Sequence, residues 1–235
     1  MAEVVISTSG MTFSDVVAIA RGNAKVTLSA QSVAAKQSSR DHVESLAASE
    51  TPVYGISTGF GALANRHVSQ ELRTQLQRSL IRSHAAGVGD PVEQEVVRAL
   101  MALRLKTLAS GKTGVRPVVA QTMAALLNAG ITPLVREFGS LGCSGDLAPL
   151  AHCALVLMGE GEALDKNGVQ RPVPELLAEA KISPVQLAEK EGLALINGTD
   201  GMLGMLVLAI EDLRMLVDSA DVVAAMSVEG LLGTD

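Results

Sequence analysis

A mainly α fold follows from three features of the sequence. Hydrophobic residues make up 48% of the 235, yet there is no Trp, one Tyr and three Phe, so the core must be built from Ala, Leu, Val and Met, which pack well between helices. Pro and Gly punctuate the chain as helix starts and stops, Pro117 at a first helical position and Gly130 at a C-terminus. The segments with β character, 4–6 and 25–28, are short. A chain of this length buries about 70% of its unfolded surface. With no persuasive linker, internal repeat or low-complexity tract, residues 1–235 read as one helical unit.

The elements follow in order. A helix over 14–21 lies between the two β pieces, and Ser29 caps a helix running to about 48, whose polar face carries Lys36, Arg40, Asp41 and Glu44. A Gly-punctuated loop over 51–64 holds Tyr54. Leu72, Leu76 and Leu80 recur at i, i+4, i+8 in a helix over 69–84 that Gly87 stops. Asp90-Pro91-Val92-Glu93 reads as an N-cap, a first-position Pro and a capping-box acid, opening a helix that ends near Gly111. Residues 147–158 are apolar on nearly every side and predict a helix buried all round, 165–174 an exposed polar excursion, and 201–232 a long helix. Nothing after that helix covers its apolar face, so the chain is expected to be the front part of a longer polypeptide, with this helix cut short.

Composition and charge exclude several classes. The net charge is −6 and none of the 19 Lys and Arg form a run, which argues against nucleic acid. The start lacks a basic stretch followed by a long apolar one, so no signal peptide is expected. The longest apolar run, 202–210, is too short for a bilayer. Two cysteines, Cys143 and Cys153, build neither a metal site nor a disulfide framework, consistent with a reducing cytoplasm. The histidines, His42, His67, His84 and His152, lack metal-ligand spacing. Ser110-Gly111-Lys112-Thr113 fails as a phosphate loop because Lys106 stands where a Gly is required. Gly59-Phe60-Gly61-Ala62-Leu63-Ala64 fails as a dinucleotide fingerprint because no βαβ unit surrounds it.

One stretch stands apart: Gly139 to Leu150, where small residues surround Ser144 ahead of the buried helix. Alone it reads as a helix entry with Asp146 as N-cap, or as a turn compressed enough to react with itself. Tyr54 alone reads as a packing residue with a hydrogen-bonded tip, Asn197 as a turn residue, and His84 as a helix-end cap. Together, Gly142-Cys143-Ser144-Gly145-Asp146-Leu147-Ala148-Pro149-Leu150, Tyr54-Gly55-Ile56-Ser57-Thr58-Gly59-Phe60-Gly61 and Leu195-Ile196-Asn197-Gly198 resemble, in the right order, three segments of the histidine and phenylalanine ammonia-lyase family. The resemblance covers the entire chain, and the histidine branch fits best.

That resemblance implies the N-terminal portion of the ammonia-lyase helical fold and a prosthetic group, 4-methylidene-imidazol-5-one (MIO), closed from Cys143, Ser144 and Gly145 without an external cofactor. The Gly145 nitrogen attacks the Cys143 carbonyl carbon, and two waters are lost. Cys143 replaces the more common Ala, but its side chain takes no part in closure. Tyr54 is the implied base, Asn197 orients substrate, and Ser83-His84 matches the pair that selects L-histidine, giving trans-urocanate. Asp146 and Gly61 are supporting residues, and Ser57 replaces the more common Asn of the tyrosine loop. A cytoplasmic homotetramer with sites shared between chains is also implied. The family's later tyrosine, arginine and glutamate site residues have no counterpart here, so these 235 residues alone are expected to turn over little substrate. The alternatives are a related lyase or aminomutase acting on tyrosine or phenylalanine, and a non-catalytic helical assembly unit.

Overall fold

The computed structural model describes residues 2–141 and 144–234. Strand β1 (Glu3–Ile6) runs parallel to β2 (Lys25–Leu28), with helix α1 (Phe13–Ala20) between them in sequence. A reciprocal capping box between Thr12 and Asp15 starts α1. Helix α2 (Ala30–Ala47) begins where the Ser29 side chain accepts the Ser32 N–H. Helix α3 (Gln70–His84) leads to strand β3 (Val88–Pro91), followed by α4 (Gln94–Ala109) and α5 (Pro117–Ala129). Pro117 starts α5 and Gly130, at φ 70°, ends it. Strands β4 (Thr132–Pro133) and β5 (Arg136–Phe138) precede helix α6 (Leu147–Leu157). Then come β6 (Glu162–Leu164), β7 (Gln170–Pro172), α7 (Val173–Ala180), α8 (Glu191–Ile196) and α9 (Asp200–Gly230).

Helix α4 is the hub, packing against α1, α5 and α9. Leu100, Met101, Leu105 and Leu108 are wholly enclosed. Its Arg98 is buried too, donating to the carbonyls of Ile19, Ala20 and Leu127, so one guanidinium closes the C-terminal ends of α1 and α5. Helix α9 approaches α4 through two glycines. A Cβ at Gly201 would stand 3.1 Å from Leu100 Cδ1, and one at Gly204 3.1 Å from Ala99 Cβ. At 31 residues α9 is about 46 Å long. Its buried residues end at Leu208, and Leu213, Met215, Leu216, Val217, Val222, Val223 and Met226 are exposed. No helix among the described residues is long and apolar enough to cross a membrane.

The mainly α expectation holds, and α6 has no exposed residue. Four local readings are corrected. Lys36 and Arg40 are not on a solvated face but buried. Arg40 is held by Glu44 and by the Glu189 carbonyl and carboxylate, whereas Lys36 Nζ finds no acceptor among the described residues. In α3 the inward face carries Arg73 and Gln77 beside Leu80 and Ile81, while Leu72 is exposed. Arg73 turns inward because it donates to the carbonyl of Ala47 at the end of α2, and Gln77 because it accepts the N–H of Gly192 in α8. Asp90 and Pro91 do not open α4. They lie in β3, antiparallel to β5, and the helix starts after Glu93. Asp146 precedes α6 but its side chain does not cap it. Residues 165–174, expected as an exposed polar excursion, are mostly exposed and hold the turn between β6 and β7, strand β7 and the start of α7.

Candidate active site

The segment around Ser144 is bound to the start of α9. Gly145 adopts φ +68° and forms a parallel bridge with Gly198, and its carbonyl accepts the Leu141 N–H at 2.9 Å. Asp146 N–H points to both the Ser144 and Gly198 carbonyls, each at 3.0 Å. A Cβ at Gly145 would stand 2.9 Å from Thr199 Cγ2, so both the dihedral and the space select glycine. The buried Asp146 carboxylate accepts from Gly201 N at 2.7 Å and Met202 N at 3.0 Å. It therefore satisfies orphan N–H groups at the head of α9, not of α6. Gly142 and Cys143 lie outside the described residues.

The Asn197 turn is fixed from below by a residue that no local pattern marks. Arg104 of α4 is buried, donates to the carbonyls of Ala194 and Asn197 at 3.1 and 3.3 Å, and pairs with Asp200. Burial pushes the Asp200 carboxyl up and Arg104 down, each against the attraction of the other. The Asn197 side chain itself is left at the surface, in an exposed residue. On the far side of α8, Glu191 is fully buried and accepts from the backbone and guanidinium of Arg116 and from Ala188 N.

Tyr54 is half exposed, its ring edge-on to Phe60 with centroids 6.1 Å apart, and its hydroxyl oxygen accepts the Gly61 N–H at 3.4 Å. Among the described residues these contacts stay within its own loop. The loop reaches the rest of the site through Gly55, at φ +72°, where a Cβ would stand 3.2 Å from Leu193 Cδ2 of α8. Ser57 is buried, and its hydroxyl accepts the Val53 N–H at 2.9 Å, which closes the loop's base.

Ser83 and His84 end α3. Ser83 Oγ and His84 Nδ1 both lie 2.9 Å from the Leu80 carbonyl. Only a protonated Nδ1 bonds a carbonyl, so in the neutral tautomer that makes this contact Nε2 carries the lone pair. The chain then turns through Gly87, whose Cα stands 3.4 Å from where a Gly139 Cβ would be. Among the described residues the structure thus joins the segments of Ser144, Asn197 and His84 around the head of α6, and brings the Tyr54 loop to them through α8.

The aromatic amino acid lyase family model matches residues 11–235. The chain belongs to this family. It is 67% identical to histidine ammonia-lyase of Streptomyces avermitilis over all of its 235 residues, which are 46% of that relative. Tyrosine ammonia-lyase of Cupriavidus metallidurans is 46% identical over 216 residues, 92% of this chain and 40% of that relative. Among solved structures, histidine ammonia-lyase from Trypanosoma cruzi superposes with a TM-score of 0.90 at 35% identity, over 99% of this chain and 44% of that one. The chain spans less than half the length of these lyases.

Proposed function

We propose that the polypeptide carrying this chain is a histidine ammonia-lyase, a carbon–nitrogen lyase that eliminates ammonia from L-histidine to give trans-urocanate. The observation that supports this most is the turn at Gly145, compressed between Ser144, Leu141 and Gly198. Cys143, Ser144 and Gly145 are the residues that would form MIO, and the described part of the turn suits ring closure. The Asp146 N–H folds back on the Ser144 carbonyl, and no Cβ shields the Gly145 nitrogen. When formed, the group supplies an electrophilic methylidene carbon to the substrate's amino nitrogen.

The chain's own residues supply the rest. Tyr54 takes the β-proton, its hydroxyl placed by the Gly61 N–H and by the edge-on ring of Phe60. His84, with its lone pair on Nε2, accepts the imidazole N–H of the substrate, and Ser83 steadies it. Asn197, on a turn fixed by Arg104, orients the substrate, while Asp146 and Gly61 support the two loops. We further take the enzyme as a cytoplasmic homotetramer without metal or external cofactor. The exposed apolar half of α9 supports assembly, because a surface of this kind is normally covered.

Two measurements test the reading. The intact mass of the chain should be lower by two waters than its sequence requires. The polypeptide encoded by the whole gene should release urocanate from L-histidine, followed by its ultraviolet absorbance, and leave L-phenylalanine and L-tyrosine unchanged. Elimination from phenylalanine or tyrosine but not histidine would overturn the substrate assignment, and an unmodified mass the prosthetic group.

A further inference from the structure

His84 is fixed from two directions. Its own ring is bound to Leu80, and the turn that follows is bound to His152. Gly87 N–H donates to His152 Nε2 at 3.2 Å, and a Cβ at Gly87 would stand 3.1 Å from that nitrogen and 3.3 Å from Arg136 Cβ. Between the two histidines the backbone is tight: Ala85 N–H reaches the Ile81 carbonyl at 3.0 Å and Ala86 N–H the His84 carbonyl at 2.8 Å. There is little slack to absorb a shift at Gly87. His152 lies on α6, the helix headed by Ser144, so this one hydrogen bond connects the selectivity turn to the element that carries the reacting segment.

Only a neutral imidazole can make the contact. With Nε2 accepting, the ring proton sits on Nδ1, whereas an imidazolium would turn an N–H toward another N–H. The charged surroundings are mixed. Arg136 approaches from β5. Glu160, after α6, is engaged by Arg78 and Arg82 of α3, and Glu162 of β6 is bonded by Gln170. His152, Arg136, Glu160 and Glu162 share a cavity of about 210 Å³. Burial first, and Arg136 second, hold the imidazole below its ordinary range.

We propose that His152 is a positioning residue: as a neutral acceptor it holds Gly87, and through the 84–87 turn it sets His84 for the substrate's side chain, so that its protonation frees the turn. The proposal rests on the reading of His84 as the residue that binds the substrate imidazole.

The test uses the polypeptide encoded by the whole gene and two variants. His152→Gln keeps an acceptor but cannot titrate, and His152→Leu has none. Hydrogen exchange of the peptide over 85–92, corrected for the intrinsic pH dependence, reads the tie directly. Wild type should lose about tenfold in Gly87 protection between pH 8 and pH 5.5, H152Q should hold constant protection, and H152L should lack it throughout. At pH 8, KM for L-histidine should rise about tenfold in H152L with kcat within about twofold, and H152Q should stay near wild type. Wild-type protection that ignores pH would overturn the proposal, as would H152Q behaving like H152L. If H152L does not fold, the pH series of wild type against H152Q still decides. Absence of turnover on histidine in wild type would instead refute the substrate reading, leaving the exchange series to judge the tie alone.

Discussion

Replacing Asp146 should reveal how much of the fold depends on the junction between α6 and α9. In Asp146→Ala the amides of Gly201, in a buried contact, and Met202, in a part-buried one, lose their shared acceptor. Each unsatisfied group costs about 1–3 kcal/mol, and loss of a carboxylate at a helix N-terminus adds up to about 2 kcal/mol. With partial relaxation the sum is about 3–5 kcal/mol. Asp146→Asn keeps one acceptor oxygen and loses only the charge, so about 1–2 kcal/mol is expected. Urea unfolding of the chain, followed by far-UV circular dichroism with the slope checked for constancy, gives both values. Exchange at Gly201 and Met202 should accelerate in the same order. If Ala costs under about 1 kcal/mol, or if Asn and Ala are equal, the carboxylate is not the cap that its geometry describes.

Other perturbations separate the remaining claims. Lys36 is pushed down by burial to about 8, so below that pH the native state carries a buried charge with no acceptor among the described residues. Between about 8 and 10.5 the unfolded chain holds the proton more tightly, and stability rises with pH. Lys36→Met should therefore stabilise the chain by about 2–3 kcal/mol at pH 7, a gain that narrows toward pH 10 in urea titrations. Arg104→Met leaves Asp200 and two carbonyls without their donor and should cost about 3–5 kcal/mol. The double variant with Asp200→Leu should cost less, and a double loss equal to the sum of the two single losses would show that the pair is not coupled. Tyr54→Phe should lower kcat for urocanate release by about 10²–10⁴-fold with KM little changed, since the hydroxyl's contact with Gly61 is a long one.

Legibility in the sequence followed the range of the interaction. Ser29, Pro117 and Gly130 act on their own helices, and α2 and α5 begin and end where these residues place them. Arg73 and Gln77 look like surface residues because their partners, Ala47 and Gly192, belong to other helices. Asp146 deceives in the same way. It stands where a cap for α6 would stand and serves α9. The candidate site segments read as motifs in the sequence, but the residues that hold them did not: Arg104, Glu191 and His152 sit in ordinary helical patterns, and only the assembled chain shows the carbonyls and amides they hold.

The Asp146 contact also bears on the order of events during synthesis. The amides it accepts from are 55 and 56 residues further along the chain, and the Gly145 bridge likewise waits for Gly198. A nascent chain that has just passed Gly145 has therefore not yet received the partners that compress this turn. On the proposed chemistry, cyclisation is post-translational by construction: it follows docking of α9 onto α4. Each dehydrated molecule then carries a permanent chemical record that its two ends of the junction met, and the modified fraction of a preparation counts the molecules that folded this far.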